Sequence, residues 1–145
     1  MATARQEIEV GVPPAALMAV LVDFAHYPDF LPWMKSGEVL RRDGPDTWEV
    51  RFGVEVIRPL VYTLRLEREG ERALRWSLVE GVFRTNDGAW TLQPTNGGRG
   101  TLARYDIDLQ VGSFVPGNVL RSLVGRDLPD LLQRFRAEAE RRAGA

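Results

Sequence analysis

The sequence contains no cysteine, one histidine (His26) and one lysine (Lys35). Without cysteine there are no disulfides, thiolate nucleophiles, thiolate zinc sites or cysteine-ligated iron–sulfur clusters. With one histidine, a Ser-His-Asp arrangement has a single candidate base, and His26 sits beside Tyr27-Pro28 at a helix end, where a structural role is the simpler reading. No Asp/Glu cluster has ligand spacing and no glycine-rich phosphate loop occurs, so neither a metal nor a cofactor is expected. No apolar run approaches the roughly 20 residues that span a bilayer, and Met1–Glu7 lack the apolar block of a signal peptide, which points to a cytoplasmic protein. A formal net charge of -1 lacks the basic excess that neutralising several phosphates demands, so nucleic acid is not an expected partner.

What is present suffices for one domain over residues 1–145: 44% of the residues are apolar, and no repeat or linker divides the chain. A short alternating segment (Gln6, Ile8, Val10) precedes Pro13-Pro14, which opens a helix with Leu17, Met18, Leu21 and Phe24 at helical spacing. Two prolines in His26–Trp33 then forbid a long helix and allow a short aromatic turn. From about residue 35 to 111 the period becomes two. Trp48, Val50, Phe52, Val54 and Val56 alternate with polar residues or glycine, as do Ala103, Tyr105, Ile107, Leu109 and Val111, which describes an antiparallel meander with one wet face.

Loop lengths predict the register. A loop at Ile57-Arg58-Pro59 pairs Val54 with Tyr62 and Phe52 with Leu64, and one at Glu69-Gly70-Glu71 pairs Leu64 with Trp76 and Tyr62 with Leu78. A turn at Glu80-Gly81 sets Leu78 opposite Phe83 and Trp76 opposite Thr85; a Gly97-Gly98 turn sets Trp90 opposite Tyr105. The alternation slips once between Thr85 and Trp90. Either Asn86-Asp87-Gly88 is a tight turn that splits the strand or Gly88 is a bulge; the bulge is the expectation.

From Phe114 to Arg142, Leu120, Leu123, Val124, Leu128, Leu131, Leu132 and Phe135 recur at three-and-four spacing in a long amphipathic helix, with a kink expected near Gly125 and Pro129. Its arginine-rich face could meet a membrane or protein partner transiently, although Glu138 and Glu140 among the arginines fit a solvated face.

The order strand, helix, aromatic turn, six strands, long helix resembles the α+β helix-grip fold of the START-like or SRPBCC superfamily, about seven antiparallel strands curved around a C-terminal helix. Val12-Pro13-Pro14 through Leu21-Val22-Asp23 and Tyr27–Trp33 are similar to the opening of its polyketide cyclase/dehydrase and coenzyme Q-binding branch. Glu80–Phe83, Asn86–Trp90, Phe114–Gly117 and Leu128-Pro129 are similar to later parts of that branch, so the likeness covers about residues 6 to 138. The resemblance implies an apolar cavity between sheet and helix.

The inward set would line it: Phe52, Val54, Tyr62, Leu64, Trp76, Leu78, Thr85, Trp90, Tyr105 and Ile107 from the strands, and Leu120, Leu123, Val124 and Leu128 from the helix, with Trp33 and Phe114 at the entrance. The plainer alternative makes these residues solid core, with tyrosine hydroxyls reaching partners and Thr85 and Asp87 capping the bulge. The expected function is non-catalytic binding or carriage of a hydrophobic small molecule such as an isoprenoid quinone, lipid or polyketide. One alternative is a polyketide cyclase or dehydratase moving protons with Tyr62, Tyr105, Thr85 or Asp87. Another is a protein-interaction module such as a ribosome-associated protein. The sequence sets no oligomeric state.

Overall fold

The computed structural model describes residues 2–55, 59–112 and 128–144. Strand β1 (Ala2–Val10) leads into helix α1 (Pro14–Leu21), a 3-10 helix (Phe24–Asp29), six further strands and helix α2 (Leu128–Ala143). The strands are β2 (Met34–Arg42), β3 (Thr47–Glu55), β4 (Pro59–Glu69), β5 (Ala73–Gly81), β6 (Phe83–Thr95) and β7 (Gly100–Val111). They form one seven-stranded antiparallel sheet in the order β1-β7-β6-β5-β4-β3-β2, which is the helix-grip arrangement.

Period-two patterning decides which side of the sheet is dry. Trp48, Val50, Phe52 and Val54 of β3 are buried while Arg51 and Glu55 between them are exposed. Onto this face α2 lays Leu128, Leu132, Phe135 and Ala139, all buried at three-and-four spacing. The Phe135 ring meets Tyr27, Phe30 and Trp90 edge-on, with centroids 5.2, 5.1 and 5.3 Å away, so one side chain joins helix, aromatic turn and sheet. The 3-10 helix lies tight against β2: a Cβ on Gly37 would fall 2.3 Å from the Phe24 carbonyl oxygen. Tyr27 donates its buried hydroxyl proton to the Leu21 carbonyl, satisfying a group left open at the end of α1.

The hairpin registers differ from those expected. Phe52 pairs with Tyr62 and Val54 with Leu60, and Leu66 pairs with Trp76 and Leu64 with Leu78. Both hairpins are slid by two residues over these pairs, which keeps Phe52, Val54, Leu64 and Trp76 on the face expected of them. In the second, Gly70 takes a positive φ of 56° as the first residue of a Gly70-Glu71-Arg72 loop, moving the loop on by one residue. The third departure is larger. Trp76 lies opposite Gly88, not Thr85, and Leu74 opposite Trp90; this ladder runs from Ala73–Thr91 to Trp76–Gly88. Tyr62 pairs with Gly81, beyond an irregularity between Thr63 and Leu64, and not with Leu78. Trp90 does pair with Tyr105.

Strand β6 runs unbroken through Gly88, and its register shift lies between Phe83 and Thr85, earlier than the bulge expected at Gly88. From Asn86 onward the even-numbered residues therefore point inward. Of the kink expected near Gly125 and Pro129, Pro129 is the second residue of the described helix, while Gly125 and the helix positions Phe114, Leu120, Leu123 and Val124 lie outside the described residues.

Candidate functional site

Between the sheet and α2 lies a cavity of about 130 Å³. The sheet contributes Phe52, Val54, Tyr62, Leu64, Trp76, Trp90, Tyr105 and Ile107, and Leu128 and Trp33 close it from the helix and the aromatic turn. All ten of these were candidates in the sequence. Leu78 and Thr85 were candidates too, but neither lines the space: the shift between Phe83 and Thr85 gives the inward position to Asn86. Leu78 sits where β5 has passed the end of its ladder with β6, and its N–H is met by the Asp87 carboxylate at 3.3 Å.

Several lining residues were missed. Leu66 and Leu74 share the inward parity of their strands, and Leu131 and Phe135 belong to the helix stripe, so the pattern contained them. Phe83 was placed inward but not counted as wall, and Tyr27 was read as part of the turn. Asn86 has no periodic signal, since only the register shift turns it inward.

Size sets what the cavity admits. An engineered apolar cavity of about 150 Å³ holds benzene, whereas pockets for larger ligands run to roughly 300–1,000 Å³. The space fits one ring, or the ring-sized end of a longer molecule. Its aromatic wall is built by contact: Tyr105 stands between Trp76 and Trp90 at centroid distances of 5.4 and 5.0 Å, and Tyr62 touches Phe83 at 5.1 Å.

The polar groups in this wall are few. Burial pushes the Tyr62 and Tyr105 hydroxyls above the ordinary phenol range, so both stay protonated at neutral pH and can donate hydrogen bonds. Among the described residues neither hydroxyl has a hydrogen-bond partner, in contrast to that of Tyr27. Asn86 is 5% exposed, and its Oδ1 accepts the indole proton of Trp76 at 3.1 Å. Among the described lining residues there is no Asp, Glu, His, Lys or Arg.

His26 lies elsewhere, in an ionic clasp between α2 and the end of α1. Its Nδ1 is 2.7 Å from Asp23, which also meets Arg142 at 3.1 Å; Arg142 and Arg141 each bond Glu138 at 2.7 Å. Glu140 accepts the Gly11 N–H at 2.8 Å, fixing the helix to the chain after β1. On the rest of the α2 surface Arg134 pairs with Asp130 and Arg136 with Glu140, so the arginine-rich face carries its own counter-charge. Among the described residues no group of three or more His, Asp or Glu side chains could hold a metal ion, and no described helix is long and apolar enough to cross a membrane.

The profile of a family described as polyketide cyclase/dehydrase and lipid transport matches residues 10–136. No curated protein matches the chain in sequence. Among solved structures, a START superfamily protein from Mycobacterium smegmatis is similar, with a TM-score of 0.82 at 24% identity over 96% of this chain and 97% of that one. The Zhui aromatase/cyclase from a Streptomyces species aligns with a TM-score of 0.82 at 22% identity, over 98% and 95% of the two chains. An 18 kDa protein from Caulobacter crescentus covers 100% of both chains at 22% identity, with a TM-score of 0.74. At these identities the likeness establishes the fold.

Proposed function

Because the chain belongs to the polyketide cyclase/dehydrase and lipid transport family, we propose that it binds and carries a hydrophobic small molecule in the cavity between its sheet and α2, the whole chain acting as one ligand-binding domain. The observation that carries this reading is the 130 Å³ space itself, walled by aromatic and aliphatic side chains. Close-packed interiors leave few voids larger than a water molecule. A guest entering this one exchanges apolar surface from water at about 25 cal/mol per Å².

The wall's chemistry favours carriage over cyclisation. Proton abstraction at neutral pH needs a base that titrates near that pH. The described wall offers protonated tyrosines and an amide, which orient a guest by donating hydrogen bonds and do not take a proton. An isoprenoid quinone, a lipid or a polyketide would fit by a ring-sized or chain-end portion.

Native mass spectrometry of the purified protein, followed by organic extraction, tests the reading. A retained apolar guest at one per chain is expected, or, after delipidation, saturable 1:1 binding of one-ring aromatics. Absence of both a retained guest and any saturable uptake would overturn it. Turnover of a model poly-β-ketone that is lost in Tyr62→Phe or Tyr105→Phe would favour the cyclase instead.

A further inference from the structure

The geometry points to a specific guest chemistry: a ring-sized apolar body bearing a neutral carbonyl oxygen, which Asn86 reads through its Nδ2 protons. This inference rests on the carrier reading and sharpens it.

The orientation of the Asn86 amide follows from its neighbour. An indole N–H can only donate, so the amide atom 3.1 Å from Trp76 Nε1 must be the oxygen. The Nδ2 group is then left with two donor protons, and among the described residues it has no hydrogen-bond partner. Asn86 is 95% buried and lines the cavity. With the residue this buried and lining the cavity, a donor that no described protein group accepts is open to whatever occupies the cavity, and a guest oxygen there gains its hydrogen bond.

Charge narrows the class. With no Arg, Lys or His among the described lining residues, a carboxylate or phosphate buried here would lose its hydration without a counter-ion. A ketone, ester or quinone oxygen accepts the amide proton at no such penalty. Tyr105, whose ring lies against Trp76, also lines the cavity, and its protonated hydroxyl is a second neutral donor in the wall.

A matched pair of probes tests the inference. Acetophenone and α-methylstyrene have the same shape and differ only in C=O against C=CH2. Their affinities for the wild-type protein and for Asn86→Leu form a double-mutant cycle in which general hydrophobicity cancels. The preference for acetophenone should fall about tenfold in Asn86→Leu. In the wild type, the Asn86 side-chain amide protons should shift downfield in a 15N–1H spectrum with acetophenone and not with α-methylstyrene. Benzoate should bind at least about tenfold more weakly than acetophenone.

If both neutral probes bind but the preference is the same in the two proteins and the amide resonance does not respond to the ketone, the carbonyl inference fails while the carrier reading stands. If neither binds, both fall. Should Asn86→Leu not fold, since it strands the Trp76 indole proton, the wild-type amide resonance decides alone. Benzoate binding as tightly as acetophenone would overturn the restriction to neutral guests.

Discussion

Trp76 closes directly over Gly88: a Cβ on Gly88 would come 2.4 Å from the Trp76 ring carbon Cζ2 and 2.4 Å from the Asp106 carbonyl oxygen. The backbone on one side cannot yield, so the indole must. Gly88→Ala is expected to destabilise the protein by about 1–3 kcal/mol, as overpacking does, and to push Trp76 toward the cavity. Chemical denaturation gives the first quantity. Titration with a one-ring guest should show weakened binding, and unchanged affinity would mean that Trp76 does not form the wall in solution.

Two tyrosines should respond unequally to loss of the hydroxyl. Tyr27→Phe strands the Leu21 carbonyl in a buried setting and should cost about 1–2 kcal/mol. Tyr105→Phe removes a hydroxyl that has no described partner and should change stability by less than about 0.5 kcal/mol. Thermal melts of the two variants side by side provide the comparison, and an equal loss in both would contradict the assignment.

Trp33 is half-buried at the edge of the cavity, with the Arg134 guanidinium 5.8 Å from its ring centroid. Trp33→Ala should speed release of a bound aromatic roughly tenfold while leaving most of the stability, because such substitutions act mainly on dissociation. Stopped-flow displacement measures the rate. A lower melting temperature with unaltered release would remove Trp33 from the entrance.

Glu138, 8% exposed and held by Arg141 and Arg142, keeps its carboxyl down at about 2 against an ordinary value of 4.5. A depressed carboxyl contributes stability above its unfolded value and loses that contribution as pH falls through the folded one. Glu138→Gln should therefore cost roughly 1–2 kcal/mol at pH 7, discounted because the arginine heads face solvent. The gap to wild type should shrink between pH 4.5 and about 2. Denaturation midpoints across that range would reveal it, and a gap independent of pH would exclude the ionic clasp as its source.

Guest affinity should be flat from about pH 6 to 9. The Tyr62 and Tyr105 hydroxyls lie above their ordinary range, so neither loses its proton there. Isothermal titration with acetophenone at several pH values checks this; a drop near pH 7 would implicate a group beyond those described in the wall.

The period of two from Trp48 to Val54 and from Ala103 to Val111, and the three-and-four spacing of Leu128, Leu132 and Phe135, were enough to fix strand, helix and inward face, because each depends only on local backbone geometry. A register slid by two residues does not disturb that face, which is why Phe52, Tyr62, Leu64 and Trp76 could be placed in the wall although their partners were not those expected. The position of the shift in β6 was decided by the tertiary structure: it lies in the ladder with β7 between Phe83 and Thr85, beyond the point where β5 leaves β6 after the Trp76–Gly88 pair. That shift turned Asn86 inward and Thr85 away. Whether the inward side chains fill their space or leave a cavity depends on how α2 and the aromatic turn sit across the sheet, a long-range relation that no local pattern encodes.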